Sequence, residues 1–304
     1  MRKTSVKKLL STVLCMMFAC SLWILPSQAA SVSNVTSVYD KTKTVKLDIT
    51  GDNKKDSIKF KFVKDSDRYS YYYDKVTISV GGKTAGSFNP LNGFYYLSVQ
   101  YLNMSKSKKF LRISAYSDSD ICEKNAIYKY DTKTKKLKCV LELPTYPMRA
   151  ENVTSISSSQ IKVAFSGQPT ETGRINCTLT YVYKNGKFKL KSTTATAKSA
   201  IGSFYSSDSY GKYFRSNKYK VSKKLKFYTS TSQKKTAFTA KKGDILKLRK
   251  IKISGKNVYL QFQKGSKTGW RKVFNAYDKV YDCSNWQNIA NSGWFYGVHN
   301  RLAG

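Results

Sequence analysis

The segment 48–56 carries oxygen-bearing side chains at alternate positions, a spacing that allows a short loop to surround a hard cation. The candidate ligands of a calcium ion are the side chains of Asp48, Thr50, Asp52 and Asp56 together with the main-chain carbonyl of Lys54. Because lysines lie in and beside this segment and the whole chain is strongly basic, we expect any bound calcium to be weak and structural. An ion-free turn is the open alternative, since Asp, Asn and Gly favour turns by themselves.

Residue types that could perform catalysis are scarce. The chain holds one histidine, His299, so a Ser-His-Asp or Cys-His apparatus would have to depend on it. Asp118, Asp120 and Glu123 could supply a carboxylate pair for glycoside hydrolysis, but nothing in the sequence fixes their separation. We therefore expect that the protein is not an enzyme, and a cell-wall-modifying activity is the less favoured alternative.

Strands must position these groups, because nearly every patterned stretch alternates apolar and polar residues with period two. The clearest examples are the segments 58–62, 76–80, 111–115 and 161–165. An Asn-Gly dipeptide at 185–186 predicts a two-residue hairpin turn, and its register places Tyr183 opposite Phe188 and Tyr181 opposite Leu190. No amphipathic helical window of any length follows residue 30, so the sequence predicts an all-β protein.

The segment 48–56 and the strand after it resemble a known repeat. The pattern is similar to the Asp-x-Asx/Thr-Gly-Asp-Gly/Asn-x-x-Asp loop of integrin-type (FG-GAP) and VCBS repeats, which also leads directly into a strand. It occurs once in this chain. The resemblance implies a calcium-stabilised β-hairpin within an antiparallel β domain over 31–191, built as a sandwich or as partial propeller-like sheets.

The segment 219–273 has the order of a bacterial Src-homology-3-like domain. The strand 225–228, the Lys-Lys-Gly-Asp turn at 241–244 and the closing Gly269-Trp270 pair carry this resemblance. It implies a small β barrel over 219–304. The last stretch, 282–304, is expected to complete or cover the barrel. Family members bind wall peptides or glycans in an aromatic groove, so the resemblance implies a ligand site. The candidate ligand-binding residues are Tyr228, Tyr259 and Trp270. The alternative for Trp270 is that its ring fills the barrel.

The first thirty residues predict export. A cationic start at 2–8, an apolar stretch at 9–25 and small residues at 27–30 are typical of a cleaved signal peptide, so 1–30 is the predicted signal. We expect a secreted or cell-wall-associated protein with no membrane span once the signal is removed. The segment 192–218, rich in Ser, Thr, Ala, Gly and Tyr, reads as a linker between the two domains.

Four cysteines follow the predicted signal, an even number in an oxidising compartment. These disulfide candidates are Cys122, Cys139, Cys177 and Cys283. Three pairings are open, and the favoured one joins Cys122 to Cys139, since both lie near one predicted hairpin. The sequence has no Cys-x-x-Cys pair, so it does not favour a zinc site.

The charge balance indicates the kind of partner. The chain has 55 Lys and Arg against 18 Asp and Glu, a net charge of +37. Such a protein is attracted to a cell-wall polymer or another polyanion, and the attraction falls with salt. The lysines are mostly single, which favours scattered solvated side chains over a shaped anion site. We expect a monomer without specific nucleic-acid recognition.

Two non-catalytic functions are consistent with these features. The first is binding of the cell envelope, either peptidoglycan or an anionic wall polymer, through a basic surface and the barrel. The second is a calcium-dependent carbohydrate-binding module, suggested by the calcium-type loop and by a group of tyrosines whose rings could stack on sugars. Those tyrosines are Tyr69, Tyr71, Tyr72, Tyr73, Tyr95, Tyr96 and Tyr101. Tyrosine is also an ordinary strand residue.

Overall fold

The computed structural model describes residues 30–38, 42–64, 73–89, 93–117, 122–201, 211–273 and 293–298. Within these ranges the chain forms twenty strands and one five-residue helix, which confirms the all-β prediction. The elements are β1 (Ser31–Val38), β2 (Lys43–Leu47), β3 (Asp56–Lys64), β4 (Tyr73–Val80), β5 (Lys83–Phe88), β6 (Tyr96–Ser105), β7 (Lys108–Tyr116), β8 (Cys122–Asp131), β9 (Lys136–Glu142), β10 (Arg149–Ile156), β11 (Gln160–Gly167), β12 (Ile175–Lys184), β13 (Lys187–Leu190), β14 (Thr194–Ser199), α1 (Gly211–Arg215), β15 (Lys218–Lys220), β16 (Leu225–Tyr228), β17 (Thr236–Ala240), β18 (Ile245–Ser254), β19 (Asn257–Lys264) and β20 (Lys267–Val273). Among the described residues, no helix has the length and apolar character needed to cross a bilayer.

The N-terminal part is a sandwich of three antiparallel sheets. The first sheet is β2-β3-β4-β5, the second is β1-β6-β7-β8-β9, and the third begins with β10-β11-β12. The second sheet lies in the middle, because its alternate residues enter two different cores. Leu111 and Ile113 pack with Phe60 of the first sheet, whereas Phe110 packs with Val163 of the third. Residues 109–116 of β7 are therefore all buried, although a strand with one solvated face would alternate.

A buried arginine connects the middle sheet to the third sheet. Arg112 is 1% exposed, and its guanidinium donates hydrogen bonds to Gln100 Oε1 and Asn125 Oδ1, each at 3.1 Å. It also donates to the carbonyls of Ala150 and Glu151, where a bulge interrupts the pairing of β10 with β11. Burial lowers the pKa of this guanidinium. Because a bulge leaves main-chain groups without partners in the ladder, the five-donor side chain satisfies them.

The Asn-Gly hairpin has the predicted register. β12 pairs with β13 so that Tyr183 lies opposite Phe188 and Tyr181 opposite Leu190. Both residues of the 185–186 turn have positive φ, as the turn requires. The rings of Tyr183 and Phe188 lie 5.0 Å apart, whereas Leu190 is 37% exposed. Of the two apolar cross-strand pairs, the pair of Tyr183 and Phe188 is therefore packed, whereas the pair that contains Leu190 is partly open to solvent.

The segment predicted as a linker contains a strand that joins the two parts of the chain. β14 pairs with β12 through residues 197–199 and with β18 through residues 194–196, which makes a continuous eleven-stranded sheet. One hydrophobic core extends across the junction, because Ala197 packs in the same cluster as Leu179 and Ile251. The sequence did not predict β14, since its buried residue is alanine and its other residues are Ser, Thr, Ala and Lys.

The C-terminal strands follow the order β15-β18-β19-β20-β16-β17 and enclose an aromatic core. Tyr219 of β15 and Phe227 of β16 come from distant positions in this order, yet both rings lie 5.6 Å from the ring of Phe262 in β19. The sheet must therefore fold around that core. The resemblance to a Src-homology-3-like barrel stays a prediction.

The described segment 293–298 packs against this core. The rings of Trp294 and Phe295 are buried, and Phe295 forms a bridge with Val221. The Trp294 amide donates to the carbonyl of Glu171, and the guanidinium of Arg271 lies 4.5 Å from the Trp294 ring. This segment therefore contacts both the C-terminal strands and the 169–173 loop of the N-terminal part.

Candidate functional site

The loop 48–56 connects β2 to β3, and its carboxylates accept hydrogen bonds from its own backbone. Asp56 Oδ2 accepts from the amides of Ile49 and Thr50 at 2.9 and 3.0 Å, and from the Thr50 hydroxyl at 3.1 Å. Asp48 Oδ1 accepts from the Gly51 amide at 2.7 Å. The bond to Asp48 closes a local turn, whereas Asp56 ties the beginning of the loop to its end.

The other two candidate ligands lie at the exposed tip of the loop. Asp52 Oδ1 accepts a hydrogen bond from the Lys54 amide at 2.8 Å. This bond is the main cause of a lowered pKa at Asp52, and the carboxylate is fully exposed to solvent. Within the described ranges, no group of three or more acidic, histidine or cysteine side chains could hold a metal ion. Calcium binding by this loop therefore stays a prediction.

A lysine from a different sheet supplies a positive charge to the loop. Lys109, at the start of β7, is 2% exposed, and its ammonium lies 3.4 Å from Asp48 Oδ2. The same ammonium donates to Asn103 Oδ1 at 2.8 Å, so both oxygens face one cationic group. The Tyr101 hydroxyl donates to the Asp48 carbonyl at 2.7 Å, and burial raises the pKa of that hydroxyl. The Lys109 ammonium therefore lies beside carboxylate and amide oxygens, which are also the ligands that a hard cation prefers.

Gly51 allows the loop to lie directly on the β6–β7 turn. Its φ is +82°, and a Cβ at this position would come within 2.3 Å of the Lys106 carbonyl oxygen. Only glycine combines that dihedral with so close an approach. The first half of the loop is therefore fixed at two points, by Gly51 on the turn and by Asp48 above Lys109.

The cysteines do not form the favoured disulfide. In the β8–β9 pairing Cys139 lies opposite Tyr128, six residues along β8 from Cys122, a separation of about 20 Å. Cys122, Cys139 and Cys177 are free thiols. Burial raises the pKa of Cys122 to about 11 and that of Cys177 to about 12. The prediction that Cys122 pairs with Cys139 is therefore wrong, and Cys283 lies outside the described residues.

The three aromatic candidates of the C-terminal part lie on one outer face of the sheet. Tyr228 is opposite Trp270, Trp270 is opposite Gln261, and Tyr259 is two residues from Gln261 on the same strand. All three aromatic side chains are partly exposed. The Trp270 ring therefore does not fill the interior of the C-terminal strands, and that alternative is wrong.

Gly269 explains why the tryptophan faces outward. Gly269 is directed at the core, where an added Cβ would lie 2.7 Å from the Cβ of Phe227. The alternation of a strand then places Trp270 on the opposite side. The phenylalanines Phe227, Phe238 and Phe262 fill the interior instead.

Lysines share this outer face with the aromatic residues. Lys252 lies opposite Tyr259, and Lys250 lies opposite Gln261. Across the junction, Lys252 is also opposite Thr194 and Lys250 opposite Thr196. This juxtaposition could not be predicted from the sequence, because β14 carries no strand signal. In the sequence, only the alternation of lysines along β18 indicated a basic face.

The remaining candidates are framework residues or lie outside the described ranges. Glu123 accepts a hydrogen bond from the Ser117 hydroxyl at 2.7 Å, and Tyr73 is buried among aromatic rings. The Tyr96 ring contacts Tyr116 at 5.5 Å. The predicted signal peptide, His299, Asp118, Asp120, Tyr69, Tyr71 and Tyr72 lie outside the described residues. Comparisons of the chain with models of protein families, with curated proteins and with solved structures find no match.

Proposed function

We propose that the protein is a secreted, non-catalytic protein that binds a polymer of the cell envelope, either peptidoglycan or an anionic wall polymer. The observation that carries this proposal is the outer face of β18, β19 and β20, where Tyr259 and Trp270 lie beside Lys250 and Lys252. An envelope polymer offers sugar rings and anionic groups along one chain. A surface with aromatic rings next to ammonium groups can contact both.

The two kinds of side chain have different roles. Aromatic rings present flat apolar surface and give a contact that salt does not screen. Lysines attract anionic groups from a distance, and this attraction weakens when the Debye length shortens. Without the four basic residues of the predicted signal the net charge is still +33, so the long-range attraction to anions is strong whatever the local geometry. The aromatic residues therefore decide whether binding is specific.

Sedimentation with purified cell walls over a salt series tests the proposal. We expect part of the binding to survive about 0.5 M salt, where charge attraction is largely screened. Soluble wall glycan should compete for that salt-resistant part. Replacing Trp270 and Tyr259 together by alanine should reduce it by about five- to 150-fold, given about 0.5–1.5 kcal/mol for each ring contact. Val63→Ala, at an exposed apolar position on β3, is the control and should bind as the unchanged protein does.

Two results would contradict the proposal. A protein that does not sediment with walls at any salt concentration has no envelope affinity. Binding that disappears completely near 0.5 M salt and is equal in the aromatic variant and the Val63 control would reduce the function to charge attraction alone. Export is tested separately by the mass of the protein recovered from culture medium, which should correspond to cleavage after residue 29 or 30.

A further inference from the structure

A shallow depression lies on the outer face of the third sheet, beside the junction strand. Its volume is about 730 Å³, and β11, β12 and β14 form its floor. Floor residues with hydroxyl or amide groups are Ser166, Asn176, Thr178, Thr180, Thr194 and Thr196. These side chains can donate hydrogen bonds to anionic oxygens. The depression is therefore a polar surface with many donors.

Four cations surround this floor. They are Lys162, Arg174, Lys191 and Lys198. In the part of the chain that the structure describes, no ion pair involves any of the four. The one acidic residue of the lining, Glu151, is already paired with Arg149 at 3.1 Å and accepts a hydrogen bond from Ser166. The depression consequently keeps a positive potential.

The depression continues onto the face of the C-terminal strands. Lys198 lies opposite Asn176 in the β12–β14 pairing, and two residues along β14 Thr196 lies opposite Lys250. Residues opposite each other in an antiparallel pair point to the same face. The cations of the depression and the lysines of β18 therefore belong to one surface, which β14 makes continuous. We call this surface, from Lys162 to Lys252, the cationic track.

We propose that the cationic track binds a linear polyanion in an extended conformation, so that one polymer chain contacts both the depression and the lysines of β18. This inference rests on the proposed function and names the chemistry of its ligand: a polymer with phosphate or carboxylate groups at regular intervals. The charge of the track is complementary to such a chain, and its open shape admits a polymer that extends beyond both ends. A small anion would contact only one or two cations.

The lining of the depression favours a polymer without stacking bases. The one aromatic ring among its lining residues, Phe165, is 1% exposed and belongs to the core below. Proteins that bind single-stranded nucleic acid combine basic grooves with exposed rings on which bases stack. Hydroxyl groups and ammonium groups, in contrast, contact anionic oxygens regardless of what links them. The depression therefore offers no platform on which bases could stack, and the exposed rings of Tyr259 and Trp270 lie only at the β18 end of the track. This distribution favours an anionic wall-type polymer, which needs anion contacts along the whole track and sugar contacts at one end.

Charge reversal at two positions of the track, with a matched pair elsewhere, tests the proposal. The track variant is Lys162→Glu with Lys198→Glu. The control is Lys59→Glu with Lys61→Glu, two exposed lysines on β3 in the first sheet. Both variants change the net charge equally and alter only exposed side chains. A melting temperature close to that of the unchanged protein establishes for each variant that it is folded.

Fluorescence titration with long-chain polyphosphate, tripolyphosphate and polygalacturonate gives the readout. At about 0.15 M salt we expect the track variant to bind long-chain polyphosphate at least about tenfold more weakly, and the control to change less than about threefold. The salt dependence of log K should flatten by about one to two in the track variant only. Long-chain polyphosphate should bind at least about tenfold more tightly than tripolyphosphate, because linked groups bind cooperatively. The polygalacturonate titration identifies whether carboxylate replaces phosphate.

The outcomes separate the two proposals. If the unchanged protein binds walls and polyphosphate but both variants lose affinity equally, the cationic track is refuted while envelope binding stands. If the unchanged protein binds none of these polymers, envelope binding itself fails. Tighter binding of a single-stranded oligodeoxynucleotide than of polyphosphate of equal charge would assign the track to nucleic acid and overturn the inference.

Discussion

Replacing Lys109 by methionine removes the buried ammonium below Asp48 while keeping an unbranched apolar stem. The Lys109 side chain is 2% exposed, and its ammonium lies 3.4 Å from Asp48 Oδ2 and 2.8 Å from Asn103 Oδ1. Loss of one partner from a fully buried ion pair costs about 3–5 kcal/mol. The Asp48 side chain is 13% exposed and keeps hydrogen bonds from two loop amides, so the cost is smaller. We expect a loss of about 2–3 kcal/mol in the free energy of unfolding.

Lys108→Met is the matched control. Lys108 is the neighbouring residue, and its ammonium donates to the carbonyl of Ser158 at 2.8 Å in an exposed position. Exposed contacts of this kind contribute about 1 kcal/mol or less. Urea unfolding of the three proteins measures the difference, and an unchanged slope m shows that the midpoints report stability. A double-mutant cycle that combines Lys109→Met with Asp48→Asn gives the coupling energy between the two residues, which should exceed about 1 kcal/mol.

Thermal unfolding with and without calcium tests whether the ion stabilises the loop. Because Lys109 and loop amides already occupy the Asp48 oxygens, we expect millimolar calcium to leave the melting temperature of the unchanged protein where it is. Two results would refute this reasoning. One is a Lys109→Met protein that is as stable as the Lys108→Met control. The other is a calcium-dependent rise of the melting temperature that Asp52→Ala removes.

Three further predictions concern glycine, thiols and alkaline pH. Gly51→Ala should cost more than about 2 kcal/mol by urea unfolding, because it adds strain and a clash with the turn. Gly255→Ala, also at positive φ but with open space around it, should cost about 1 kcal/mol, and equal costs would contradict the close approach. Mass spectrometry after iodoacetamide treatment at pH 8 should find Cys139 alkylated and Cys122 and Cys177 unmodified until urea unfolds the chain; fast labelling of the buried pair would refute their burial. Folding raises the thiol pKa from 9 to about 11 for Cys122 and to about 12 for Cys177. The contribution of the two neutral thiols to the free energy of unfolding is therefore complete below pH 9 and is lost as pH rises toward 12. The melting temperature should therefore fall above pH 9, and a pH-independent melting curve up to pH 11 would contradict this.

Strand alternation was sufficient to predict the class of the fold and one hairpin in detail. The Asn-Gly turn fixed the register of β12 with β13, because only a few residue types accept its dihedrals. The middle sheet was harder, since strands buried on both faces lose the period-two signal. In β7 the buried polar residues Lys109 and Arg112 imitate solvated positions, although both are inside the protein. Local pattern cannot distinguish a solvated lysine from a buried one.

The junction and the site depend on contacts between distant segments. β14 has alanine and threonine where a strand signal requires larger apolar residues, so its role as a connection became visible only through its partners β12 and β18. The loop 48–56 was recognisable from its residue types. The contact of the loop with the Lys109 ammonium could not be predicted, because Lys109 is more than fifty residues away and reaches the loop through the β6–β7 pairing. The cationic track combines residues from four strands and has no linear motif.

The net charge of the chain gives a physical reason for an internal ammonium in place of a diffusible ion. A protein with 55 basic and 18 acidic residues repels dissolved divalent cations, which reduces the affinity of any metal site that it carries. An ammonium that belongs to the chain has no binding equilibrium, so neither dilution nor a chelator removes it. Its neighbours still gain charge-assisted hydrogen bonds. Lysine thus has two proposed roles in this protein: buried beneath the loop it stabilises a turn, and exposed along the cationic track it attracts anions. The polymer titrations and the Lys109 variant measure these two roles independently.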